Sequence, residues 1–352
     1  MVLIFTHHSD REVQSLAVAR DGSFEKYAGN PVLEGPATER DFRDPRVFWW
    51  SDETGSGHWV MVLAVGQSVW VYASDNLIDW EFASRIDLSG SLIETPDIFA
   101  VGASWVLSFS RWSGGPAGGS GTAYIVGEFD GASFHAETPE RWADHGADFM
   151  SAQSWNEHPS GERVWIGWMG NTAYSQFVPD LGWRGALTVP RVLGLEKGAL
   201  FQRPIPAIGE LRTQLVELNG TLGAGRHVLA QVPSGAVDVV LVINGAPNPS
   251  VALRLPSGVV LGWSDGELSV DRSCTQGILS TMNAVRRIPL PPDRGSVSLR
   301  VLADRTSVEV FAGDGRVVVT DQVFTSEPGG DVELLVGGGE LEVEILRIWE
   351  LA

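Results

Sequence analysis

Apolar positions along this chain recur with the period of strands, not of helices. Runs of four to seven apolar residues, or strict alternation of apolar with polar, are interrupted every few positions by Gly, Asp, Pro or Ser. Long helical patterns are absent. The pattern predicts an all-β chain built from short strands.

Within it a unit repeats at about fifty residues. Residues 59–64 (Trp-Val-Met-Val-Leu-Ala) resemble 105–110 (Trp-Val-Leu-Ser-Phe-Ser), with further versions at 164–169 and 1–6. Another strand ending in Asp follows the first two, at 69–75 and 123–130, and its N-terminal counterpart is 15–21. An aromatic residue comes soon after each Asp: Trp80, Phe134 and Phe24. Ahead of two units lies an earlier strand, and 45–48 (Pro-Arg-Val-Phe) aligns with 96–99 (Pro-Asp-Ile-Phe) at an offset of about 51. Three strands plus an aromatic-bearing fourth, repeated in this way, describe a propeller blade. The plainer alternative is a β-sandwich with coincidental Trp-Val pairs.

Counting back one repeat from Pro45 lands before residue 1, so the first unit is expected to lack its innermost strand and to leave an edge that proteins normally protect. From about residue 205 tryptophan becomes scarce and strict alternation appears, as at 237–243 and 307–311. Asp314-Gly315 lies between two such runs as a hairpin signal. The expected organisation is an incomplete five-bladed β-propeller over 1–203, with the first blade and part of the second missing. A C-terminal β-sandwich follows over 204–352, the junction falling within 202–209.

Composition narrows the function. Forty-four acidic against 25 basic residues give a net charge of −19, which repels nucleic-acid phosphates and anionic membrane surfaces. No apolar run approaches the roughly 18 residues of a membrane span, and the short apolar start has no basic flank to make it a signal peptide. A single cysteine, Cys274, allows neither an internal disulfide nor a Cys-rich zinc site. His7 and His8 are adjacent on a strand and point to opposite faces, which argues against a metal pair. The Gly-rich stretch 114–121 joins two strands with no helix after it, so it reads as a hairpin loop and not as a phosphate cradle.

The repeat alignment sets Arg43 opposite Glu94 and Asp44 opposite Thr95. Both acids thus precede the innermost strand of neighbouring blades, at the mouth of a central channel. Two carboxyls converging on one funnel suit glycoside hydrolysis, one to protonate the leaving oxygen and one to act at the sugar ring. Each also has a structural reading: Asp before Pro opens turns, and Glu94-Thr-Pro-Asp can be a polar loop.

Residues 41–48 (Asp-Phe-Arg-Asp-Pro-Arg-Val-Phe) resemble the Arg-Asp-Pro motif of family 32 glycoside hydrolases, and 94–99 (Glu-Thr-Pro-Asp-Ile-Phe) the Glu-Cys-Pro motif. The resemblance runs on through 26–31, 148–153, 166–169, 183–191, 307–311 and 314–316, covering nearly the whole chain in the family's order. It implies a five-bladed propeller followed by a β-sandwich, acting on fructose-containing oligo- or polysaccharides with retention and with no metal or cofactor. It implies that Glu94 is the general acid/base and Asp44 the transition-state stabiliser. Arg43, Phe42, Asp148 and Thr95 would bind substrate or shape its pocket. Trp112, and with it Trp155, is placed near the funnel as a surface for stacking on sugar.

Three departures matter. The family's nucleophile is an Asp in a Trp-Met-Asn-Asp-Pro-Asn-type motif that these residues do not contain, and it is expected upstream of Met1. Thr95 replaces the usual Cys, and Thr172 stands where many members place Trp. Two readings follow: a retaining β-fructosidase impaired in this chain, or an inactive remnant that binds fructosides weakly. A propeller arabinosidase or xylosidase is a third, disfavoured by the C-terminal Ser-Val-Glu-Val-Phe.

Overall fold

The computed structural model describes residues 1–245, 250–327 and 329–352, and it is almost wholly β. The chain divides into two compact units. The first comprises Met1–Gly114, Ser120–Ala143 and Met150–Trp165. The second comprises Gly115–Gly119, Asp144–Phe149 and Ile166–Ala352.

The first unit carries the predicted repeat. β1 (Val2–His8), β2 (Glu12–Arg20), β3 (Ser23–Lys26) and β4 (Leu33–Glu34) form an antiparallel sheet in the order β1-β2-β3, with β4 also on β2. β5 (Arg43–Ser51), β6 (Gly57–Val65), β7 (Ser68–Ser74) and β8 (Glu81–Asp87) form a second sheet in sequence order. A third contains β9 (Ile93–Val101), β10 (Ser104–Arg111), β11 (Gly121–Phe129) and β12 (Phe134–Ala136), with β13 (Arg141–Trp142) also on β11. β14 (Met150–Ser154) opens the next repeat. The repeated segments at 1–6, 59–64 and 105–110 are therefore β1, β6 and β10. β5 and β9 are the edge strands beside β6 and β10, whereas β1 is itself the edge of its sheet.

β6 and β10 read as continuous apolar runs because both faces are covered; from Val60 to Val65 every residue is buried. Val60, Val62, Val69 and Val71 join Ile93, Ile98, Leu107 and Phe109 in one core across the second and third sheets. Phe48, Trp105 and Phe129 pack ring against ring within it, at 5.3–6.2 Å between centroids. Trp49, Trp59, Trp70 and Trp165 also pack against aromatic rings.

The second unit contains two six-stranded antiparallel sheets. One runs in the spatial order Arg212–Leu222, Leu341–Leu351, Val237–Asn244, Ser296–Asp304, Ser307–Ala312, Val317–Gln322. The other runs Gly225–Val232, Gly330–Gly337, Ser250–Arg254, Val260–Ser264, Glu267–Asp271, Val285–Pro289. Alternate residues of the two, such as Val237, Val239, Leu241 and Ile243 against Leu253, Leu261, Leu268 and Leu334, share one buried core. That is the predicted sandwich. Its expected hairpin at Asp314-Gly315 is present with both residues at positive φ, but the ladder ends at Ala312–Val317 and leaves a four-residue loop.

Segment 144–149 is tied to the strand Val317–Gln322 by backbone bonds from His145 to Val318 and from Asp148 to Thr320. Gly146 is required there, since a Cβ would lie 2.1 Å from the Thr320 carbonyl oxygen. Arg191 closes this region. Fully buried, it donates to Asp144 (3.1 Å), Glu309 (2.6 Å), Gln202 (3.0 Å) and Thr320 (2.6 Å), between the rings of Phe149 and Phe311. Removing one member of such a network strands buried carboxylates, at a cost of about 3–5 kcal/mol. Arg191→Met should lower chemical-denaturation stability by that amount, while Arg316→Met, which breaks an exposed pair with Glu196, should leave the midpoint in place.

Candidate active site

The site begins with three residues in the left-handed region. Asp44, Thr95 and Ser151 have φ of 60°, 50° and 57°, and they fall at the starts of β5, β9 and β14. Each lies at the same point of its repeat, and two of them precede Pro45 and Pro96, which donate no ladder bond. The ladders break there: register shifts between Arg43 and Arg46 in one sheet, and between Ser108 and Ser110 opposite β9 in the other. A β-branched residue such as Thr95 is an outlier in this conformation, so each left-handed amide is held in place from a neighbouring sheet. Asp44 N donates to Thr6 Oγ1 (3.0 Å), Thr95 N to Asp44 Oδ2 (2.9 Å) and Ser151 N to Ser110 Oγ (2.8 Å).

This arrangement brings Arg43, Asp44 and Glu94 together from strands about fifty residues apart. Arg43 Nη2 lies 3.3 Å from Glu94 Oε1, while Nη1 faces Glu12 Oε2 at 3.3 Å and pairs with Asp41. One guanidinium thus serves three carboxylates. Glu94 is half-buried, and burial is the chief cause that pushes its pKa up. A hydrogen bond from the Trp112 side chain opposes the rise, the Asp44 charge adds to it, and Arg43 opposes it. Asp44 is pushed up as well, mainly by burial and also by Glu12, against the Thr95 amide and Arg43. A carboxyl raised by burial and by a neighbouring anion, as Glu94 is, suits proton transfer.

The other predicted residues fall in different places. Thr95 donates through Oγ1 to Ser110 Oγ (3.3 Å), and its carbonyl accepts from Gln153 Nε2 (3.0 Å). Trp112 keeps 44% of its surface exposed while bonded to Glu94, and Trp155 is similarly open. Phe42 does not line a pocket: it is 1% exposed, packed edge-on against Trp70 and Tyr72. Its place in the site is taken by its backbone, whose carbonyl accepts from Gln14 and whose amide donates to Glu12. Asp148, in the second unit, is fully buried; it accepts from Tyr174 (2.7 Å), Arg272 (3.0 Å) and the Gln322 amide (2.8 Å). Glu12, Thr6 and Ser110 escaped the sequence reading. Only their positions in the repeat, Thr6 and Ser110 one strand and Glu12 two strands outward from the strand that Asp44 and Glu94 open, could have marked them.

Residues 1–204 match the glycosyl hydrolases family 32 N-terminal domain, and residues 253–350 match the family's C-terminal domain. The chain belongs to glycosyl hydrolase family 32. It is 35% identical to a levanase of Bacillus subtilis (strain 168) over its whole length, spanning 57% of that protein. It is 32% identical to an extracellular exo-inulinase of Aspergillus ficuum, with 96% of this chain and 71% of the relative covered. The crystal structure of exo-inulinase from Aspergillus awamori superposes with a TM-score of 0.90 at 28% identity, covering 100% of this chain and 79% of that one. The family 32 assignment accounts for both sheet architectures, the repeated blades and the sandwich.

Glu12→Gln tests the electrostatics of this family 32 site. It removes an anion that raises Asp44 and leaves Arg43 freer to pair with Glu94. Both carboxyls should then titrate at lower pH than in the parent, read as side-chain carboxyl chemical shifts. Unchanged titrations would mean that Glu12 does not act on the pair.

Proposed function

We propose that this chain carries the acid/base and transition-state-stabilising parts of a retaining β-fructosidase acting on sucrose, fructo-oligosaccharides or fructans. The observation that carries the reading is the pairing of Glu94 and Asp44 around Arg43, with both carboxyls raised in pKa. Glu94 is the general acid, protonating the glycosidic oxygen of the leaving group and later activating water. Asp44, fixed by the Thr95 amide, holds fructosyl hydroxyls and offers negative charge to the oxocarbenium-like ring. Arg43 binds substrate beside Glu94, and Trp112 presents an open ring face to sugar while its side chain bonds the acid. The names of the relatives, levanase and exo-inulinase, support the substrate class.

The covalent step needs a nucleophilic carboxylate, and the 352 residues hold no Trp-Met-Asn-Asp-Pro-Asn-type motif to supply it. That observation favours a second reading for the chain by itself: fructoside binding with little turnover.

The test is fructose release from sucrose, levan and inulin by the chain and by Glu94→Gln. The first reading expects the substitution to cost about 10²–10⁴ in kcat. It also expects the parent rate to fall as pH rises through the elevated Glu94 pKa, a limb that Glu94→Gln lacks. Equal rates for the two proteins would contradict it. The second reading expects no release but binding of fructose oligomers, seen by saturation-transfer NMR, which Asp44→Asn weakens.

A further inference from the structure

The three left-handed amides are held by the same kind of contact, with one exception. Thr6, Ala64 and Ser110 end the equivalent segments 1–6, 59–64 and 105–110 on β1, β6 and β10. Ala64 pairs across the ladder with Arg43, and Ser110 with Glu94, so the equivalence holds in the register as well as in the sequence. At the first seam the Asp44 amide is taken by the Thr6 hydroxyl, and at the third the Ser151 amide by the Ser110 hydroxyl. By this rule the Thr95 amide would be taken by residue 64. That residue is an alanine, 1% exposed, with no oxygen on its side chain.

A part-buried amide still needs an acceptor. Here it finds the Asp44 carboxylate, one strand inward from where the other seams place their hydroxyl. An ionised acceptor makes the stronger bond, and it leaves the carboxylate with one oxygen committed and the other available.

We propose that Ala64 is a positioning residue: by withholding a hydroxyl at the middle seam it commits the Thr95 amide to Asp44, and so fixes the carboxylate that the reaction uses. The proposal rests on the reading of Asp44 given under Proposed function, but its test does not depend on turnover. A serine at this place would restore the contact of the other two seams and release Asp44.

The measurement is amide NMR of the full chain. In the parent, and in Ala64→Gly, the Thr95 amide shift should follow the ionisation of Asp44. In Ala64→Ser that dependence should be lost, because the amide now faces a hydroxyl. Asp44→Ala should speed hydrogen exchange at Thr95 by roughly five- to tenfold, the effect of one lost hydrogen bond, and adding Ala64→Ser should restore the parent rate. A Thr95 shift that still follows Asp44 in Ala64→Ser, or no recovery of exchange in the double variant, would overturn the proposal. A further variant needs no new side chain in the core. Thr6→Ala makes the first seam resemble the middle one and should speed exchange of the Asp44 amide by a similar factor. An unchanged rate there would overturn the seam rule itself. Loss of turnover in Glu94→Gln speaks to the reaction, and these amides speak to the seam, so the two can fail separately.

Discussion

Asp44, Thr95 and Ser151 enter their strands through a backbone region that costs an L-residue about 1–2 kcal/mol, and nearly everything distinctive about the site follows from how that cost is met. The left-handed turn breaks each ladder just where Arg43-Asp44 and Glu94-Thr95 occur, which turns charged side chains away from the regular pleat and toward one another. The amides freed by the break are caught across the seams by Thr6, Asp44 and Ser110. The same contacts therefore hold adjacent sheets in register and aim the carboxyls. Strain of this kind persists only where surrounding contacts over-determine it, as the core beneath does: Phe42, Met61, Leu63 and Tyr72 pack under β5 and β6.

The electrostatics are a consequence of crowding. Arg43 lies among Glu12, Asp41 and Glu94, with Asp44 adjacent. One cation divided among several anions neutralises none of them fully, so burial and a neighbouring anion, Asp44 at Glu94 and Glu12 at Asp44, push both pKa values up. The buried acids of the second unit shift in both directions: burial pushes Asp148 and Glu309 up, whereas Asp321 is held low. Asp321 pairs with Arg286 and shares Arg272 with Asp148, and the two arginines outweigh its burial and hold it below the ordinary carboxylate range.

Much of this was legible in the sequence. The offset between 45–48 and 96–99 put Asp44 and Glu94 at equivalent starts of neighbouring strands, and it did so because a blade repeats one hydrophobic pattern that a reader can align. The sandwich was legible from strict alternation such as 237–243. Less legible was what depends on backbone conformation or on partners far along the chain. Nothing in Ser151 marks it as left-handed, and nothing near Arg191 points to Glu309, 118 residues away. Phe42, expected to shape the pocket only from the family resemblance, lies buried against Trp70 and Tyr72. The role of Ala64 was invisible for a simpler reason: its contribution is an oxygen it lacks.

The central claim is that the repeat brings Asp44 close enough to Glu94 to raise the affinity of Glu94 for a proton. Titration of the Glu94 carboxyl by ¹³C NMR, in the parent chain and in Asp44→Asn, tests it most directly. The account predicts a Glu94 pKa above the ordinary glutamate value in the parent, falling when the Asp44 charge is removed. A Glu94 that titrates at its ordinary value and is indifferent to Asp44→Asn would contradict it.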